Sequence, residues 1–217
     1  MNRTLKALVL SAGLCALPNL CFSANIVYDN TATDLSQQYF PTPNTLEFGD
    51  QISLVGSDRV LSQFNFYYFL SGTATGQSAT VRMYANSGTN PPTSAFYASD
   101  PIPLAAGFNN QQITFNLASN LVTVPNSFTW TVQFSGLTAG QNAGLLLYGP
   151  PNQGSSFNDF WQKDGTGTWG LMQINGGATL ADFAARVTAV PEPGVLALSG
   201  LGALVLAGLR RRRKAPQ

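Results

Sequence analysis

The chain has 217 residues, 44% hydrophobic and 10% charged, with a formal net charge of +1 and no histidine. Without histidine the commonest general base and the commonest metal ligand are gone, and both cysteines, Cys15 and Cys21, lie near the N-terminus. The remainder therefore has neither a disulfide framework nor a thiol metal site, and no cofactor is expected. Between residues 25 and 189 four cations (Arg59, Arg82, Lys163, Arg186) stand against nine anions, a net −5, which excludes the basic footprint of a nucleic-acid binder.

Arg3 and Lys6 form a positive n-region, followed by an apolar h-region at residues 7–17 (ALVLSAGLCAL). That is signal-peptide length and too short for a stable membrane span. Pro18 and Asn19 break it, and the small residues Ser23 and Ala24 follow. Cleavage after Ser23 sets Cys21 at the minus-three position, which is small enough, whereas cleavage after Ala24 sets Phe22 there. Leu14 and Leu20 precede the cysteines where a lipoprotein signal needs a small residue. An uncleaved anchor or a buried core helix is the alternative. Residues 1–24 read as a signal peptide, and residues 25–189 as one exported domain, long enough to bury a core without staples.

Within that domain the clearest pattern is residues 128–134 (FTWTVQF), where every second residue is apolar, the period of a half-buried strand. Residues 112–117 repeat it through Ile113, Phe115 and Leu117. Residues 59–69 place Val60, Phe64, Phe66 and Tyr68 on one face and Leu61, Tyr67 and Phe69 on the other, which predicts a central strand covered on both sides. Residues 79–85, 143–148, 169–174 and 183–188 complete the set. Turn signals fall at residues 71–72, 86–92, 106–110, 149–154 and 164–167, and no helical repeat or fixed internal period is found. The expected fold is all-β, an antiparallel β-sandwich or jelly roll.

Three chemistries are open to these residues. A hydrolase of polysaccharides needs two carboxylates about 5–10 Å apart; Glu47 and Asp50 could share a loop, and Asp50 and Asp58 could flank a strand. The bland reading is that they cap turns and solubilise the surface. Calcium could find oxygen ligands at Asp159, Asp164 and Asn158, but no alternating acidic run exists and no metal ligand is assigned. Trp161 and Trp169 lie about a Gly/Thr-rich turn beside Phe157 and Phe160, and are the candidate carbohydrate contacts. Against that, large rings most often fill cores.

At the other end Pro191, Glu192 and Pro193 precede an uncharged stretch at residues 194–209. At about 1.5 Å per residue a helix there is roughly 24 Å long, near the ~30 Å hydrocarbon thickness once flanking arginines snorkel. Arg210, Arg211, Arg212, Arg213 and Lys214 follow at once, a basic membrane stop that holds this end in the cytoplasm, so the domain faces outward. The sequence VPEPGVLALSGLGALVLAGLRRRRK resembles a PEP-CTERM sorting signal, which here covers residues 190–217. That resemblance implies recognition by an exosortase, a membrane transpeptidase that works alongside exopolysaccharide production. An ordinary anchor with an incidental Pro-Glu-Pro is the plain alternative.

A second resemblance lies in the domain. NIVYDN, LEFGDQISL, ATVRMYANSG, FTWTVQFSG, AGLLLYGPPNQGSSFNDFW and WGLMQING are similar to the choice-of-anchor R family of exported domains, which supplies no catalytic residues to carry over. The leading expectation is a non-enzymatic surface protein, transiently in the inner membrane and then at the cell surface or in the matrix, acting with exopolysaccharide or biofilm. A carbohydrate-binding module and a polysaccharide hydrolase are the alternatives.

Overall fold

The computed structural model describes residues 23–85, 94–119 and 121–192. Most of the segment read as a signal peptide, Pro193, the apolar stretch and the Arg210 to Lys214 cluster lie outside the described residues.

The described chain is built of strands, with one 3-10 turn at Asn175–Gly177 and no α-helix. In order the strands are β1 (Asn25–Asp29), β2 (Asp34–Tyr39), β3 (Glu47–Ser53), β4 (Val60–Leu70), β5 (Ser78–Ala85), β6 (Ala95–Ala98) and β7 (Ile102–Pro103). There follow β8 (Gly107–Thr114), β9 (Ser127–Ser135), β10 (Ala143–Tyr148), β11 (Ser155–Ser156), β12 (Phe160–Lys163), β13 (Trp169–Met172) and β14 (Ala185–Val190). They form two antiparallel sheets. The six-stranded sheet runs β1-β14-β4-β10-β2 with β8 on the other edge of β4; the eight-stranded sheet runs β13-β12-β3-β9-β5-β6, with β11 on β3 and β7 on β5.

Period-two alternation aims one face of each sheet at the other. From β4 come Phe64, Phe66, Tyr68 and Leu70, and from β9 Phe128, Trp130, Val132 and Phe134, all essentially unexposed. Rings interlock across the gap: Phe64 meets Trp130 edge-on at 5.2 Å and Phe48 meets Phe183 at 5.6 Å. Each such side chain contributes about 1.5–3 kcal/mol by leaving water.

Four expectations need correction. Leu61 is buried in the same core as Phe64. The register slips between Thr188 and Ala189 where β14 meets β4, a bulge that turns Leu61 to the inner side. The far face of β4 is only half covered, because Tyr67 and Phe69 lie on the outer side of the sheet. Conversely β9 is covered on both faces: Thr129 and Thr131 are fully buried, and the Thr131 hydroxyl donates to Glu47 from the neighbouring strand. The turn expected at residues 106–110 is mostly strand, since β8 begins at Gly107 and pairs with β4 from Leu70 to Gln63.

Two glycines admit close packing. A Cβ on Gly49 would stand 2.0 Å from the Trp130 carbonyl oxygen. One on Gly144 would stand 2.1 Å from that of Tyr39 and 2.6 Å from the Phe40 ring.

Candidate functional site

The outer face of the eight-stranded sheet holds a polar cleft of about 450 Å³, lined among others by Glu47, Arg82, Gln133 and Lys163. Strand register assembles it. Glu47 on β3 lies opposite Gln133 on β9, and Thr131 on β9 lies opposite Arg82 on β5. Glu47 is the floor, only 5% exposed. Its Oε1 accepts hydrogen bonds from the Tyr84 hydroxyl at 2.6 Å and the Thr131 hydroxyl at 2.7 Å. Its Oε2 accepts one from the Lys163 ammonium at 3.1 Å and lies 3.3 Å from the Arg82 guanidinium. Arg82 also donates to Gln133 Oε1 at 3.1 Å.

Burial opposes the Glu47 charge, but the two hydroxyl donors and the two cations outweigh it and hold the carboxyl below its usual range. The same carboxylate, after burial itself, drives the Tyr84 phenol upward. Glu47 is thus a saturated anchor that fixes Arg82 and Lys163 at the rim. Lys163 Nζ sits 4.7 Å from the Trp169 ring centroid, and Trp169 meets Tyr84 edge-on at 5.4 Å.

The expected tryptophan pair shares this face, since Trp161 and Lys163 alternate on β12 opposite Leu171 and Trp169 on β13. Only Trp169 is half-exposed. Trp161 is 4% exposed, so of the two candidate carbohydrate contacts Trp169 is the more accessible. Phe160 points the other way into the core, against Tyr39 and Phe183.

The acidic candidates separate. Glu47 and Asp50 do not share a loop: both lie on β3, with odd spacing that turns them to opposite faces. Asp50 is fully buried between the sheets, where its Oδ2 accepts from the Ser156 hydroxyl at 2.7 Å and its Oδ1 has no partner among the described residues. Burial first, and then nearby Asp182, push the Asp50 carboxyl well up. Burial likewise pushes Asp182 up to about 6. Asp58 instead accepts from the Asn25 amide at 2.7 Å. Asp164 staples its own turn, accepting from the backbone N–H of Thr166 at 2.8 Å and of Thr168 at 2.9 Å. Asn158 bridges Gly177 and Ala181, and among the described residues no three acidic groups converge as a metal site.

Sequence reasoning missed Arg82, Tyr84, Gln133 and Asp182. The one available signal was rarity, because Arg82 and Lys163 are two of only four cations in the domain.

Of the tail, Pro191 is half-buried and Glu192 exposed, directly after β14. Residues 189–214 match the PEP-CTERM protein-sorting motif. The motif marks a protein that is exported and sorted to the cell surface by an exosortase. Neither the comparison with curated proteins nor that with solved structures returned a match.

Proposed function

We propose that the chain is a non-enzymatic surface protein whose exported domain, a choice-of-anchor R-like β-sandwich of jelly-roll type, acts with extracellular polysaccharide or biofilm matrix once the exosortase has processed its tail. The observation that carries the sorting half is the motif match beginning at Ala189, within the last strand of the domain. Nothing separates the folded unit from its sorting signal, so one cut near Pro191, Glu192 and Pro193 frees the domain from the helix and the basic stop. The chain passes through the inner membrane and ends at the surface or in the matrix.

Intact-mass analysis in cells with and without the exosortase tests this. Loss of the Arg210 to Lys214 segment only in the competent cells is the expected result, with an N-terminus near Ala24 or Asn25. Equal masses that both retain the segment leave a plain membrane anchor.

A carbohydrate-binding module is the second reading. It is favoured by the half-exposed Trp169, whose ring is held by Lys163 and Tyr84 beside a cleft with hydrogen-bonding walls. Incubation with a polysaccharide panel, read for retention and for new reducing ends, separates the readings. Retention without release favours the module; release that disappears on Asp→Asn substitution overturns the non-enzymatic reading.

A further inference from the structure

We propose that the outer face of the six-stranded sheet is a binding platform for an uncharged polysaccharide, distinct from the Glu47 cleft on the opposite side of the molecule. The inference rests on the polysaccharide reading above and gives it a second surface and a ligand class.

The platform is a line of rings. Phe69 on β4 lies opposite Phe108 on β8, and their centroids are 4.7 Å apart. On the other edge of β4, Phe69 lies opposite Gly144. That position has no side chain, so the Phe40 ring packs beside it, 6.0 Å from Phe69. The three rings therefore cross the strands in one row. Phe108 is 67% exposed, the largest exposure among the large hydrophobic residues described. Tyr67, two residues before Phe69, begins a second row.

Amides flank the rings. Asn110 lies opposite Tyr67, and Gln38 lies opposite Leu146. Both are exposed, and among the described residues neither side chain makes a hydrogen bond. A shallow groove of about 230 Å³ separates Phe108 from Gln38 and Leu146.

This chemistry selects its occupant. A pyranose chain presents flat C–H faces edged by hydroxyls. Aromatic faces pack on the former, and primary amides donate to and accept from the latter at once. Charge points the same way. The cation on this face, Arg186, is held by Asp29 at 3.0 Å and by the Thr31 hydroxyl at 2.8 Å. Among the described residues it is the one cation on this face, and its pairing with Asp29 leaves an acidic polymer little to gain. The rings also hold one another in place, so little side-chain freedom is lost on binding.

The test is affinity electrophoresis of the exported protein in gels carrying neutral glucans, galactomannan or acidic alginate. Variants Phe108→Ala, Asn110→Ala and Lys163→Ala are compared with thermal melts as the folding control. The expected result is retardation by a neutral polymer that weakens on the order of tenfold in Phe108→Ala, and less in Asn110→Ala. Retardation by alginate alone, lost in Lys163→Ala, overturns the platform and keeps the polysaccharide reading. No retardation by any polymer overturns both. Neutral binding that survives Phe108→Ala, or a dimer that Phe108→Ala splits, overturns the platform.

Discussion

Glu47 and Asp50 share one strand and meet opposite fates. Glu47 faces outward, yet it is saturated by two hydroxyls and two cations and keeps its charge. Asp50 faces inward, next to another acid, with one oxygen unpartnered among the described residues, and its charge is disfavoured. A carboxylate's environment is set by which side of a pleat it occupies, and a one-residue step reverses it. The outer region is held by electrostatic pairing, and the inner region favours the protonated form of its acids.

Breaking the anchor should produce the largest effect. Glu47→Ala strands two cations and two buried hydroxyls, and is expected to cost roughly 3–5 kcal/mol, read by urea denaturation. Next is the pH response. The folded Asp182 pKa of about 6 lies above its ordinary value of 3.8, so the fold prefers the protonated acid. Stability from this group is full at low pH and falls as pH rises from about 4 through 6, by on the order of 2–3 kcal/mol. Glu47 acts in the opposite sense: its lowered pKa gives stability above the ordinary 4.5 that is lost as pH falls through the folded value. Melting temperature should therefore peak in mildly acidic buffer, and Asp182→Asn should remove part of the decline on the alkaline side, the rest coming from Asp50, which burial also pushes up. A melting temperature that climbs steadily to pH 8 contradicts this.

Gly49 lies between the two acids on β3, and Gly49→Ala drives a methyl into the Trp130 carbonyl. The expected loss is about 1–3 kcal/mol, with both faces disturbed together in amide hydrogen exchange. The smallest effect belongs to the rim. Lys163→Met keeps the stem over Trp169 and removes one of two cations, at a cost of about 1 kcal/mol or less. Stability of the unmodified protein should show correspondingly little dependence on salt.

Strand alternation was legible wherever apolar residues marked it. Residues 143–148 coincide with β10, and 128–134 fall inside β9. Two strands were read in part or not at all. β8 reads GFNNQQIT; the alternation at 112–117 marked only its end through Ile113, and its earlier residues are strand because β4 supplies their hydrogen bonds. β3 reads EFGDQIS, and carboxylates and a glycine look like a loop until the neighbouring strands close over both faces. The site was less legible than the fold. Glu47 gathers partners from β5, β9 and β12, up to 116 residues away, and no local pattern encodes that. Trp161 and Trp169 were indistinguishable in sequence; pairing with Gly49 buries one, while the end of β13 leaves the other partly open.

The pairing of Asn25 with Ala189 has a mechanical meaning. The domain begins and ends at the same corner, so the chain reaching Asn25 and the chain leaving Val190 toward the sorting motif lie side by side. β14 is bonded along both edges, to β1 and to β4. A pull through the tail runs along that strand and loads both hydrogen-bond ladders in shear, so they must yield together rather than unzip one rung at a time. A protein tethered by this tail hangs from a strand that is bonded along both edges.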